Sequence, residues 1–239
     1  MQELIELEKV PSHVAIIMDG NRRWARVHDF PPFYGHWKGA DVIFDLVCFA
    51  AELGVKTLTL YAFSTENWSR SQEEVDELMK LISCYLEKEK NFMIEQSVRL
   101  ETIGDVTKLP LHVQSTLQKT KEETASGTKI RLVLALNYGG RDEIKRAFLK
   151  MAQDIKQGKI QEEQVSEELI SAYLDTASWG DPDLFIRTSG EQRLSNFLLW
   201  QLSYAEVYIT KVLWPDFGRK DFLEAIVEFQ KRNRRLGGT

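Results

Sequence analysis

Short apolar runs alternate along the chain with longer stretches in which apolar positions recur every three or four residues. Residues 13–18 (HVAIIM), 57–63 (TLTLYAF), 98–103 (VRLETI), 130–137 (IRLVLALN), 184–187 (LFIR) and 206–210 (EVYIT) have the length and the β-branched or aromatic content of strands. The helical period falls over 39–53, 72–96, 111–125, 141–156, 167–175 and 220–234. Three of the strand segments are continuous apolar runs, the pattern of strands buried on both faces. Strands alternating with helices predict a parallel sheet joined by right-handed crossovers. No linker, repeat or low-complexity stretch interrupts the series. The expected fold is α/β: a single domain over 1–239 with a central, mostly parallel six-stranded sheet flanked by helices. Residues 1–11 are expected to form a flexible amino terminus.

Composition narrows the function more than the fold. The chain has 239 residues, 31 Lys and Arg against 36 Asp and Glu, and a formal charge of −5. That balance disfavours non-specific nucleic-acid binding, which needs a broadly positive face. Cys48 and Cys84 lie in apolar, helical-looking stretches without zinc-type spacing and read as two buried, reduced thiols. The acidic start MQELIELEKVPS lacks a signal-type apolar core, and no run has the 18 or so apolar residues that a membrane span needs. A cytoplasmic protein is expected.

Open parallel sheets bind ligands at the carboxyl ends of their strands. The segments there are 19–25 (DGNRRWA), 64–70 (STENWSR), 137–141 (NYGGR) and 187–196 (RTSGEQRLSN), and each carries arginine beside Gly, Ser or Asn. Free backbone N–H groups after Gly20, with Arg22 and Arg23 beside them, suit a phosphate. Surface arginines at a solvated helix start would look the same. Asp19 fits either a salt-bridge partner or a carboxylate holding Mg²⁺ against a diphosphate. Arg187, Arg193 and Ser195 form a second anion-binding candidate. Neither a P-loop nor a G-x-G-x-x-G follows any strand, so two cationic sites without a nucleotide motif point to small phosphorylated substrates. The 72–96 helix has more apolar positions than one seam requires, which suits core packing or the wall of a channel for a lipid tail.

MDGNRRWA at 18–25, STENWSR at 64–70, RTSGEQRLSNFLLWQ at 187–201, YAE at 204–206 and LWPDF at 213–217 together resemble the cis-prenyltransferases, specifically the undecaprenyl diphosphate branch. The likeness runs in register from about residue 12 to the terminal RNRRLGG. The DDxxD motifs of trans-prenyltransferases are absent. The resemblance implies successive condensation of isopentenyl diphosphate onto an allylic diphosphate, each new double bond being cis. The expected primer is farnesyl diphosphate. The expected product is undecaprenyl diphosphate, a precursor of the lipid carrier for cell-wall glycan. It also implies Mg²⁺, a homodimer, a hydrophobic tunnel between sheet and long helices, and transient contact with the inner face of the membrane through the lipid product.

Carried onto matching positions, the resemblance makes Asp19 the acid that engages Mg²⁺ and the diphosphates, with Glu206 as a second metal ligand. Gly20, Asn21, Arg22, Arg23 and His36 would cradle the allylic diphosphate, with Trp24 beside it. Ser64, Thr65, Glu66, Asn67, Trp68 and Arg70 would form a segment over the substrates, Asn67 and Ser64 assisting proton removal. Arg187, Arg193, Leu194 and Ser195 would bind isopentenyl diphosphate. Ala62, Leu86 and Ile130 would line the tunnel, Ile130 near its floor.

Several positions depart from the family pattern. Arg22 replaces a glycine, Pro32 stands where an arginine is usual four residues before His36, and Trp37 occupies a usually basic place. Ser189 and Gln192 replace a glycine and a histidine, so a metal role for that histidine does not carry over. Arg22 is expected to make up for the phosphate contact missing at Pro32. A non-catalytic partner subunit on the same scaffold would lack the acid and the Arg/Ser pair, and Asp19, Arg187, Arg193 and Ser195 are all present.

Overall fold

In a computed structural model, which describes residues 6–232, six parallel strands form one sheet in the order β3-β4-β2-β1-β5-β6. The strands are β1 (His13–Ile17), β2 (Thr57–Ser64), β3 (Val98–Ile103), β4 (Ile130–Tyr138), β5 (Leu184–Arg187) and β6 (Glu206–Ile209). The helices are α1 (Asn21–Val27), α2 (Pro32–Leu53), α3 (Gln72–Glu95), α4 (Leu111–Glu123), α5 (Gly140–Lys156), α6 (Glu167–Tyr173) and α7 (Arg219–Gln230). The sheet is wholly parallel, as the apolar runs in β1 and β4 require: every residue of β1 is buried, because helices cover both faces. The larger core packs α2, α3, α4 and α7 against one face, and the smaller one gathers Phe185, Phe197 and Leu198 on the other.

Of the amino-terminal residues expected to be flexible, 1–5 lie outside the described part. Leu7–Lys9 form a single 3-10 turn, and Pro11 is buried at the entrance to β1. The terminal RNRRLGG also lies almost wholly outside it, as does the expected end of the last helix at 233–234.

The two thiols are not both buried as expected: Cys48 on α2 is half-buried and Cys84 on α3 is exposed, because an apolar-rich helix still turns one side to solvent. Two further helical features differ from the sequence pattern. α2 begins seven residues before the expected 39, with Pro32 as its first residue, where a missing N–H is harmless. Gly35 and Gly39 then lie inside the helix and let α1 approach closely: a Cβ on Gly35 would stand 2.0 Å from the Asn21 carbonyl oxygen. α1 is itself a helix of only seven residues, too short for periodicity to announce. It packs Trp24 and Ala25 inward and is entered through Gly20 at φ +112°, where a side chain would be strained and would meet Leu213.

Candidate active site

At the carboxyl end of the sheet, a cavity of about 790 Å³ opens between β1, β2, β4 and helices α2 and α3. Its mouth is ionic. Asp19, two residues beyond the end of β1, faces Arg187 at the end of β5 because Ile17 and Arg187 are register partners. Arg187 donates to Asp19 Oδ2 from Nε (2.9 Å) and Nη2 (2.6 Å) and to Ser195 Oγ from Nη1 (2.8 Å). It also donates to the Arg193 carbonyl. The guanidinium is buried yet fully engaged, which is how an interior charge is tolerated.

Four of the five other arginines at the mouth are held by carboxylates in pairs. Glu191 accepts from Arg23 (2.7 Å) and Arg193 (2.5 Å), and these two hydrogen bonds hold its carboxyl below the usual range. Glu74 accepts from Arg70 (2.7 Å) and lies 3.7 Å from Arg22. The two carboxylates thus space four guanidinium groups around the mouth, where they can exchange a side-chain partner for a diphosphate with its bidentate geometry.

β2 carries a bulge at Ala62, since Tyr61 pairs with Ala135 and Phe63 with Leu136. The extra residue bends the strand end and turns the following Ser64–Arg70 segment over the mouth. There the Ser64 N–H donates to Asn67 Oδ1 (3.1 Å), so the Asn67 oxygen is occupied and its amide N–H₂ remains as the donor. Asn196 Nδ2 donates to Glu66 Oε1 (2.8 Å), tying this segment to the loop after β5. Burial raises the Glu66 carboxyl, the Asn196 bond lowers it, and the net effect is a depression.

Four buried polar atoms on cavity-lining residues have no protein partner: Asn21 Oδ1, His36 Nε2, Ser189 Oγ and the Tyr85 hydroxyl. Burial, reinforced by the charges of Arg70 and Arg22, lowers His36 to about 4, so the ring is neutral near pH 7 and offers a single N–H. Buried groups of this kind are normally satisfied, and an open ligand-sized cavity beside them is the natural source of partners.

Behind the mouth the walls become apolar. Ile43 from α2, Leu78, Leu81, Ile82 and Leu86 from α3, and Ala62 and Leu134 from the sheet line the deep part.

The cavity is lined by Asp19, Gly20, Asn21, Arg22, Arg23, His36, Ser64, Glu66, Asn67, Arg70, Arg187, Arg193 and Ser195, together with Ala62 and Leu86. Six expected contacts fall outside it. Trp24 is buried behind α1, its Nε1 donating to Asp216 Oδ1 (2.7 Å), because the short helix turns that face to α2. Thr65 leans over Gly139, and Trp68 donates to Asn137 Oδ1 (2.7 Å) with its ring edge on Phe63. Leu194 faces outward, 36% exposed. Glu206 stands at the amino end of β6, beside Leu184, and accepts from Arg232 (2.8 Å). It is three strand residues, or roughly 10 Å, from the level of Arg187, so within one chain it does not share an ion with Asp19. Ile130 pairs with Val98 at the amino end of the sheet and is packed in the core; the β4 wall is Leu134, four residues further on.

Sequence reasoning missed Arg26, Tyr61, Leu134, Tyr85, Ser189 and Glu191, which also line the cavity. Arg26 carried a usable signal, lying one helical turn beyond Arg22 and Arg23. Tyr85 and Leu134 carried none that separates a cavity wall from core.

Fold and site together define an α/β protein whose cavity is cationic at its mouth and apolar behind it. A model of a family described as putative undecaprenyl diphosphate synthase matches residues 17–237. An isoprenyl transferase of Chlamydia trachomatis is 49% identical, covering 99% of this chain and 95% of that protein. One from Bacillus cereus is 50% identical, covering 96% and 89%. Among solved structures, lavandulyl diphosphate synthase from Lavandula x intermedia, in complex with dimethylallyl diphosphate, superposes with a TM-score of 0.94 at 36% identity over 97% of this chain and all of that one. A probable undecaprenyl diphosphate synthase from Campylobacter jejuni superposes with a TM-score of 0.80 at 34% identity over 95% and 99%. The chain belongs to the undecaprenyl diphosphate synthase family of prenyltransferases, and its activity is that of a cis-prenyltransferase.

Proposed function

We propose that the enzyme condenses isopentenyl diphosphate repeatedly onto an allylic diphosphate, with farnesyl diphosphate as primer, to give a long polyprenyl diphosphate of undecaprenyl length. The observation that carries this reading is the polarity of the cavity, which runs from six arginines at the mouth to an aliphatic interior. An allylic diphosphate needs both ends at once.

Arg22, Arg23, Arg26 and His36 line the α1/α2 side of the mouth and hold the allylic diphosphate; Arg22 and Arg26 supply the charge absent at Pro32. Arg187, Arg193 and Ser195 hold isopentenyl diphosphate on the β5 side. As the allylic C–O bond breaks, negative charge grows on the departing diphosphate, and guanidinium groups already fixed in place stabilise it without reorganisation. The apolar interior keeps water from the electron-deficient carbon. Once the new carbon–carbon bond forms, a proton leaves the neighbouring carbon. Asn67, whose oxygen is engaged by Ser64 N–H, orients the accepting diphosphate oxygen through its amide N–H₂ rather than taking the proton itself.

Asp19 suits Mg²⁺. Arg187 occupies Oδ2 and the carboxylate is about one-third exposed toward the arginine cluster. Magnesium asks for one or two carboxylates, with substrate phosphates and water completing its shell. No group of three or more His, Cys, Asp or Glu side chains forms a protein-only site among the described residues. Bound there by Asp19 and the diphosphates, Mg²⁺ would neutralise leaving-group charge.

A homodimer is supported by Ile144, Phe148 and Leu149, exposed on α5, with Tyr204 and Val207 exposed at the β6 edge. No helix of the described residues is long and apolar enough to cross a membrane, so contact with a bilayer is peripheral in this reading. Incubation of the full chain with labelled isopentenyl diphosphate and farnesyl diphosphate, with Mg²⁺ or with EDTA, tests the proposal. Chain growth only with Mg²⁺ is expected, and growth without it, or none with it, counts against the reading.

A further inference from the structure

In the loop after β5, Ser195, Asn196 and Leu198 all have left-handed backbone, at φ +49°, +61° and +43°. None is glycine, so the loop is strained and keeps this shape only where its surroundings hold it. Asn196 shows what holds it. Its carbonyl accepts from the Gly140 N–H (2.6 Å) and its Oδ1 from the Arg141 N–H (2.9 Å), the first two N–H groups of α5. Those two bonds suffice for the loop. The Asn196 side chain makes a third, from Nδ2 to Glu66 Oε1 (2.8 Å), and that one reaches the Ser64–Arg70 segment.

A third strand end closes the same junction. Gly139, just after β4, has extended backbone that any residue adopts, yet a Cβ there would stand 2.6 Å from Thr65 Oγ1 and 2.7 Å from Asn196 Nδ2. The ends of β2, β4 and β5 therefore meet at one amide. Groups of the mouth flank it on both sides. Ser195, the preceding residue, accepts from Arg187, and Asn67, the residue after Glu66, accepts from the Ser64 N–H. Asn196 and Glu66 themselves line the cavity.

We infer that Asn196 is a positioning residue: through Glu66 it holds the Ser64–Arg70 segment, and Asn67 with it, against the Arg187 and Ser195 side of the mouth. The use of the contact rests on the proposed reaction, in which that side holds isopentenyl diphosphate. Keeping the segment in place sets the Asn67 amide at a fixed distance from the diphosphate it orients. A displacement of about 1 Å in such an arrangement costs about a hundredfold in rate. The primer diphosphate lies on the α1/α2 side in the same reading, where Asn196 makes no contact.

Exchanging the two groups in the full chain tests the inference. Asn196→Asp keeps an acceptor for the Arg141 N–H, suits the amino end of α5 and tolerates left-handed backbone, but it sets a second carboxylate against Glu66. Its kcat/KM for isopentenyl diphosphate should fall by about tenfold or more, with KM for farnesyl diphosphate unchanged. The amides of residues 64–70 should exchange with deuterium faster than in the native protein. Glu66→Gln/Asn196→Asp, which swaps amide and carboxylate, should recover most of both losses. Native kinetics or native exchange in Asn196→Asp, or a swap that recovers neither, overturns the inference. So does an equal rise in both KM values, the mark of a general loss of structure. If Asn196→Asp does not fold, Gly139→Ala carries the test, because its Cβ parts Thr65 from Asn196 while every bonding group remains. Faster exchange over 64–70 is then expected, and unchanged exchange overturns the inference. If the native protein extends no primer, the proposed reaction fails, and exchange in the swapped pair still decides the contact.

Discussion

Arg187 reaches Asp19 Oδ2 with two nitrogens, at 2.9 and 2.6 Å, from a position only 2% exposed. The contact joins the ends of two neighbouring strands and fixes the acid that faces the arginine cluster. Replacing that acid therefore has separable effects on chemistry and on folding. Asp19→Asn keeps an acceptor for Arg187 and removes the charge. We expect kcat to fall by about 10²–10³-fold, the scale for losing one electrostatic contact to the transition state. The melting temperature should fall too, since the buried guanidinium keeps an acceptor but loses its counter-charge, so kcat is compared below the melting temperatures of both proteins. A variant with kcat within a few-fold of native at saturating Mg²⁺ would remove Asp19 from the chemistry.

Ser189 stands where a glycine is usual, at φ +72°, and its buried hydroxyl has no protein partner. A serine in the left-handed region is strained by about 1 kcal/mol. Ser189→Gly relieves that strain, and the extra freedom of the unfolded chain offsets about the same amount, so stability should stay within about 1 kcal/mol of native. If the hydroxyl serves the substrate, KM for isopentenyl diphosphate rises by about tenfold, the worth of a hydrogen bond to a charged group. An unchanged KM would show the hydroxyl to be idle.

His13 begins β1 with both ring nitrogens paired, to Thr59 Oγ1 (2.7 Å) and the Gly180 carbonyl (3.1 Å). Burial lowers it to about 4, against the pull of the Gly180 carbonyl and Asp183. A depressed histidine binds a proton more readily in the unfolded chain. Its contribution to stability is therefore complete above about pH 6.5 and is lost as the pH falls toward 4, by about 2–3 kcal/mol in all. His36, lowered to about 4 as well, adds loss in the same window. Melting temperatures between pH 7 and pH 4 should fall more steeply for the native chain than for His13→Gln. Parallel curves would contradict the assignment.

Much of this was legible in the sequence, and the illegible part has physical causes. The strands were readable because a doubly covered parallel sheet demands unbroken apolar runs such as IRLVLALN, which becomes β4. The mouth was readable because arginine beside glycine or serine at several strand ends is hard to explain by packing. The start of α1 after Gly20 was readable from the glycine turn, but its extent was not, since seven residues give two turns and no period, and the start of α2 was hidden behind Pro31, Pro32 and two glycines that serve close packing against α1. Trp24, Glu206 and Ile130 are assigned to the site by resemblance alone. Their side-chain directions depend on which face of a short helix is buried and on which end of a strand a residue occupies. Tyr85 and Leu134 line the cavity with the same residue types that fill the core, so only three-dimensional placement separates the two roles.

The central claim is that the apolar interior of this cavity measures the growing chain. Ala62 sits at the β2 bulge on the cavity wall, where added bulk intrudes on the tail. Mass analysis of the products formed from farnesyl and isopentenyl diphosphates tests the claim most directly. The native enzyme is predicted to add five-carbon units up to undecaprenyl length, and Ala62→Leu to stop several units earlier with the first condensation intact. The same long product from both proteins would contradict the account.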